Sequence, residues 1–73
     1  MSTANGEFPK RLRKLREGRG ISQRVLSERC GMSKNMISAY ERGEVEPTAS
    51  VIREIAQCLH TSTDYLLGLK ENF

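Results

Sequence analysis

Apolar residues recur at helical spacing in several separate stretches of the chain, each bounded by residues that start or stop helices. The first stripe consists of Phe8, Leu12 and Leu15, with Arg16 at its edge. Basic residues occupy much of the remaining surface of this helix. Because proline is favoured in the first helical turn, the pattern predicts that helix 1 starts near Pro9.

Residues 23–43 predict two short helices joined by a tight turn. Gly31 ends the first helix, because a left-handed residue turns the backbone sharply and glycine does this without a Cβ clash. Ser33 is then expected to cap the second helix, which we place at Lys34–Arg42. Ser27 is small at the point where two helices joined by so short a turn must approach closely.

The second of these helices divides its side chains between two faces. Ile37 and Tyr40 should point into a core, whereas the opposite face is polar, positive and free of bulky aliphatic residues. This opposite face suits the base edges of a DNA major groove, where lysine pairs with guanine and asparagine with adenine. A solvated helix surface without a partner would also fit. The residues of the face are Lys34, Asn35, Ser38, Ala39 and Arg42.

Two further helices complete the pattern. Helix 4 is predicted at Ala49–Leu59 with Thr48 as its N-cap, and helix 5 at Thr63–Leu67 with Ser62 as its N-cap. Since no strand pattern or internal repeat is present, the sequence predicts an all-α, compact five-helix domain.

The predicted domain covers residues 8–68. Residues 1–7 are polar and without periodicity, so we expect a flexible N-terminal tail, and residues 69–73 should form a frayed C-terminus.

Composition narrows the class of protein. No apolar run approaches the ~20 residues that span a bilayer and no signal peptide is present, so we expect no membrane partner and a cytoplasmic location. The chain has one histidine, no glycine-rich phosphate loop and no carboxylate pair in an apolar cleft, so we expect no enzyme and no catalytic residue. A net charge of +3 favours a polyanionic partner.

The two cysteines, Cys30 and Cys58, each fall on an apolar stripe. They could in principle pair, but reduced thiols acting as small hydrophobic side chains are the better interpretation. Together with His60 they match no usual zinc-ligand spacing, so we expect no metal and no cofactor.

The ordered set of motifs from about Phe8 to Leu67 resembles the helix-turn-helix of the Cro and phage-repressor family, the xenobiotic-response-element-like regulators. The motifs are LRKLRE at 12–17, ISQ at 21–23, Gly31, Ser33, ISAYERG at 37–43, Pro47, IAQCL at 55–59 and DYLLG at 64–68. The resemblance implies a sequence-specific transcriptional regulator, taken here as a repressor, that binds double-stranded operator DNA as a homodimer.

The same resemblance assigns roles to individual residues. Gln23 and Arg42 match positions that contact the DNA backbone. Arg16 and Glu41 match a paired position, and because each lies beside an apolar face we expect a structural ion pair between them. The residues that match base-reading positions are Ser33, Lys34, Asn35, Ser38 and Ala39.

The main alternative is a protein-interaction module of the same fold, serving an antirepressor or toxin partner and binding DNA weakly. Met32, Met36 and Leu67 could form an adaptable apolar surface for such a protein. Glu44 and Glu46 also favour this alternative, since they place carboxylates in a loop that tends to be basic in DNA-binding members. Only a DNA-binding domain should bind nonspecific duplex with a steep salt dependence.

Overall fold

The computed structural model of the chain describes the backbone of residues 3–69 and the side chains of residues 7–69. This part of the chain contains five α-helices and no strand, which confirms the predicted all-α class. None of the described helices is both long and apolar enough to cross a membrane. The helices are α1 (Thr3–Gly18), α2 (Gln23–Arg29), α3 (Met36–Glu41), α4 (Ala49–Cys58) and α5 (Thr63–Leu66).

The predicted start of helix 1 near Pro9 is wrong, because α1 begins at Thr3 and Pro9 lies inside it. A proline inside a helix removes one backbone hydrogen bond. Two interactions at this point offset that loss: Phe8 is buried, and Glu7 pairs with Arg11 at 2.9 Å. Residues 3–7, predicted as tail, are therefore helical, while residues 1–2 and 70–73 lie outside the described part.

The helices enclose one apolar core. The apolar residues predicted to face the core in helices 1 and 3 are buried, as is the apolar stripe of α4, and Leu66 of α5 closes the core. Phe8 and Tyr40 meet edge to face, with ring centroids 6.1 Å apart, so α3 packs directly on α1. The buried apolar residues are Phe8, Leu12, Leu15, Leu26, Ile37, Tyr40, Ile52, Ile55, Ala56, Leu59, Tyr65 and Leu66.

Local capping fixes several helix ends. The hydroxyls of Ser22, Thr48 and Ser62 accept hydrogen bonds from the amides three residues later, at 3.1–3.2 Å. Gly31 ends α2 in the predicted left-handed conformation, with φ of 70°. His60 ends α4 in the same region, with φ of 55°, although its Cβ disfavours that conformation.

Candidate nucleic-acid interface

The orientation of α3 is set by its close crossing with α2. Ser27 of α2 is fully buried, and its hydroxyl accepts a hydrogen bond from the amide of Ile37 at 3.4 Å. Leu26 and Ile37 are fully buried beside this contact. Because the inner side of α3 is fixed in this way, its other side is held outward.

The start of α3 differs from the prediction. The helix begins at Met36, with Asn35 at the N-cap position and no side-chain capping hydrogen bond. The predicted capping by the Ser33 hydroxyl is wrong, since the Met36 amide donates to the Ser33 carbonyl at 3.1 Å instead. Because a backbone acceptor already satisfies this amide, the hydroxyl is not needed as a cap. Lys34 therefore lies in a turn that leads into the helix.

The predicted base-reading residues divide into two groups. Ser33, Lys34 and Asn35 are adjacent and exposed in the turn before α3. Ser38 and Ala39 are half-buried within the helix. The turn thus presents a hydroxyl, an ammonium group and a carboxamide to solvent, which supply the donors and acceptors that base edges require.

A buried polar network lies between α1 and α3, and it is centred on Glu41, the last residue of α3. Arg16 donates from Nε to Oε2 at 2.6 Å and from Nη2 to Oε1 at 3.1 Å, and its Nη1 donates to the Ile21 carbonyl at 2.9 Å. The side chains of Arg16 and Glu41 are only 11% and 4% exposed. The hydrogen bond to Glu41 raises the pKa of Arg16. The structure therefore joins the two residues expected to pair, and the pair connects α1 to the end of α3.

Gln23, predicted to contact phosphate, takes part in the same network. It is the first residue of α2 and half-buried, and its Nε2 donates to Glu41 Oε1 at 3.0 Å. A primary amide carries two N–H donors, so one remains for another acceptor. No local pattern indicates the contact with Glu41, since the two residues lie 18 positions apart.

Arg42, the second residue predicted to contact phosphate, is paired at the other end of α3. Its Nε and Nη2 donate to the two carboxylate oxygens of Glu44 at 2.8 and 3.0 Å, and its Nη1 donates to Ser38 Oγ. This pair lowers the pKa of Glu44 and raises that of Arg42. Gly43, with φ of 73°, makes the turn between them. The sequence contains a signal for this pair, because Arg42 and Glu44 carry opposite charges and are separated only by Gly43.

Several basic residues of α1, together with Arg19 directly after it, have intramolecular partners away from α3. Arg11 lies over the Tyr65 ring, 4.6 Å from its centroid, and Arg13 pairs with Glu17 at 3.1 Å. Arg19 donates to the Leu59 carbonyl at 2.8 Å, at the end of α4. The run of positive charge in the sequence therefore does not itself define the interface.

Comparison with known proteins agrees with this geometry. A family model described as "Helix-turn-helix" matches residues 12–66. The HTH-type transcriptional regulator ImmR of Bacillus subtilis is 34% identical over 62 residues, covering 85% of this chain and 49% of that protein. The prophage-derived regulator YonR of the same species is 33% identical over 60 residues, covering 82% of this chain and 56% of that protein.

A solved structure has the same fold. The hypothetical transcription factor NHTF from Neisseria superposes with a TM-score of 0.82 at 28% identity, covering 92% of this chain and 75% of that one. The present chain spans about half the length of the two curated relatives. On the match to the family model and these relatives, the chain belongs to the helix-turn-helix family, of the Cro and repressor type that its motifs resemble.

Proposed function

We propose that the chain binds operator DNA through the major groove and represses transcription there. The observation that carries this proposal is the exposed turn of Ser33, Lys34 and Asn35. This turn leads into α3, which the buried ion pair between Arg16 and Glu41 ties to α1. A rigid support under an exposed polar surface is what reading base edges requires. The names of the relatives as transcriptional regulators support the same conclusion.

Within this proposal the residues have separate tasks. Lys34 donates to guanine and Asn35 forms a bidentate pair with adenine, while Ser33, Ser38 and Ala39 line the rest of the base-facing surface. Gln23 uses its remaining amide hydrogen to hold a phosphate, which fixes the register without reading sequence. Arg42 binds a second phosphate after exchanging its contact with Glu44.

We place two copies of the chain on each operator. A single reading helix contacts only a few base pairs, so specificity generally needs two half-sites about 34 Å apart. Leu67 and Ile52 line a groove of about 270 Å³ between α4 and α5, and this is where we expect the two copies to meet. Sedimentation with a palindromic operator gives the stoichiometry, and one chain per full site would contradict the dimer.

The observations favour DNA over a protein partner as the main ligand. Met32 and Met36 are half-buried and pack against the core, which leaves little of them for a protein partner, and Leu67 lines the groove that we assign to the second copy of the chain. Glu44, one of the two loop carboxylates that favoured a protein partner, is paired with Arg42 in the free chain, so it is not an unpaired negative charge there.

Selection of bound duplexes from a random pool, followed by titration at several salt concentrations, tests the proposal. We expect an enriched sequence with two half-sites, and an affinity that falls steeply as salt rises. No enrichment together with a flat salt dependence would identify a protein-interaction module instead.

A further inference from the structure

Two thiols meet where the C-terminal ends of α2 and α4 come together. Cys30 is the C-cap residue of α2 and Cys58 is the last residue of α4. Both are free and half-buried, and the Cys30 thiol donates to Cys58 with only 2.9 Å between the two sulfurs. From the sequence we expected both cysteines to act as small hydrophobic side chains, and their separation of 28 positions along the chain concealed this contact.

We propose that Cys30 and Cys58 form an oxidation site that closes to an intramolecular disulfide when the chain meets a low-molecular-weight disulfide. A disulfide bond is about 2.05 Å long, so the sulfurs must approach by somewhat less than an ångström. Both residues lie at helix ends rather than in helix interiors, and both are half-buried rather than fully buried.

The chemistry requires two exchange steps. The Cys58 sulfur, as thiolate, attacks one sulfur of the oxidant, which forms a mixed disulfide and releases one small thiol. The Cys30 thiol then loses its proton and attacks the Cys58 sulfur, which releases the second small thiol and closes the bond. The two cysteines together lose two electrons and two protons, and the small disulfide is reduced to two thiols.

The surroundings of Cys30 oppose its ionisation. Burial, the hydrogen bond with Cys58 and the nearby charges of Cys58 and Glu54 raise the pKa of Cys30 to about 12. The Cys30 thiol is therefore harder to ionise than an ordinary cysteine, and in this scheme it acts second. Once Cys58 is in the mixed disulfide, its hydrogen bond and charge no longer oppose ionisation of Cys30, which is then in place to attack.

The consequence is a cross-link around the reading helix. The loop closed by the bond runs from residue 30 to residue 58 and contains the turn, α3 and α4. Closing a loop of this length restricts the unfolded chain, so the oxidised protein should melt roughly 10 °C or more above the reduced protein. Oxidation would thus stabilise the segment that we propose reads DNA, and reductants would reverse it.

Exposure of the reduced full-length chain to oxidised glutathione tests the proposal. We expect the intact mass to fall by two hydrogen atoms, and a tryptic digest without reductant to join the peptides of residues 30–34 and 54–70. The melting temperature should rise, and dithiothreitol should restore both the mass and the melting temperature. Two free thiols, or glutathione attached to the protein in place of the internal bond, would overturn the proposal.

Cys30→Ser is the matched control variant. Treated in the same way, it should take up one glutathione on Cys58 and show no rise in melting temperature. A rise in this variant equal to that of the parent would show that the internal bond is not the cause, and would also overturn the proposal. The digest of the parent chain remains decisive even if the variant does not fold.

Discussion

Two arginine–glutamate pairs lie near the C-terminal end of α3, and they use the same groups in different surroundings. Arg16 and Glu41 are joined by two hydrogen bonds, with side chains 11% and 4% exposed. Arg42 and Glu44 are also joined by two hydrogen bonds, but each side chain is 56% exposed. The hydrogen-bond geometry of the two pairs is similar, so their difference in burial decides that the first pair is structural and that the second can exchange its partner for a phosphate.

The physical reason lies in what each pair does when a partner is lost. A buried carboxylate without its arginine stays desolvated and uncompensated, which is strongly destabilising. An exposed arginine without its glutamate is solvated by water, so little stability is lost. The first pair can therefore hold α3 in place, and the second can give up its internal contact to a phosphate.

The largest expected effect is the loss of stability in Arg16→Met. This change leaves Glu41 buried, with Gln23 as its remaining side-chain hydrogen-bond partner among the residues that the structure describes, so the free energy of unfolding should fall by about 3 kcal/mol. For a domain of this size the melting temperature should fall by roughly 10–20 °C. Arg42→Met makes the same substitution in the exposed pair and should have the same melting temperature as the parent chain.

A double variant sharpens this first prediction. Arg16→Met combined with Glu41→Leu removes both buried charges, so it should recover much of the stability lost in the single variant. Thermal melts of the parent, both single variants and the double variant complete the cycle. The account of a buried pair fails if Arg16→Met melts as the parent does.

A smaller effect is expected from Gln23→Ala, which removes the third member of the buried network. Losing one hydrogen bond to Glu41 should reduce the free energy of unfolding by about 1 kcal/mol. Affinity for operator and for random duplex should fall by similar factors, with an unchanged salt slope because glutamine is neutral. Gln57→Ala, on the exposed face of α4, should change neither property.

The smallest effect on stability, with a distinct effect on DNA binding, is expected from Glu44→Gln. Arg42 loses its internal counter-charge, so operator and scrambled duplex should both bind more tightly, with the salt slope steeper by about one unit. Adding Arg42→Ala should remove this gain. Glu46→Gln changes the same charge in the same loop and is the control, with a smaller gain expected. Equal gains in the two variants would show that Arg42 is not specifically released.

Much of the fold could be predicted because its signals are local. Thr48 and Ser62 cap the helices that follow them, and Gly31 ends α2 in the expected conformation. The apolar stripe of helix 4, from Ile52 to Leu59, is buried as its spacing indicates. Each of these features depends on residues within one or two turns of each other.

The predictions that were wrong, and the contacts that were missed, concern positions where local signals compete or where residues distant in sequence meet. Pro9 is typical of a first turn, yet burial of Phe8 extends the helix ahead of it. The Ser33 hydroxyl is typical of an N-cap, but the Ser33 carbonyl accepts the hydrogen bond from the Met36 amide instead. The bond between Gln23 and Glu41, like the contact of the two cysteines, depends on tertiary packing that no local pattern encodes. The pairing of Arg16 with Glu41 could be predicted because each residue lies beside an apolar face and because both match a paired position in the family.

The central claim is that the exposed turn before α3 reads bases, and Asn35→Ala tests it most directly. Titration against the selected operator and a scrambled duplex, at several salt concentrations, separates reading from simple attraction to phosphate. We predict that the variant loses roughly 1–3 kcal/mol on the operator and relaxes the preference at one base pair, while binding scrambled duplex as the parent does. If Asn35→Ala instead binds both duplexes as the parent does, this turn does not read the operator.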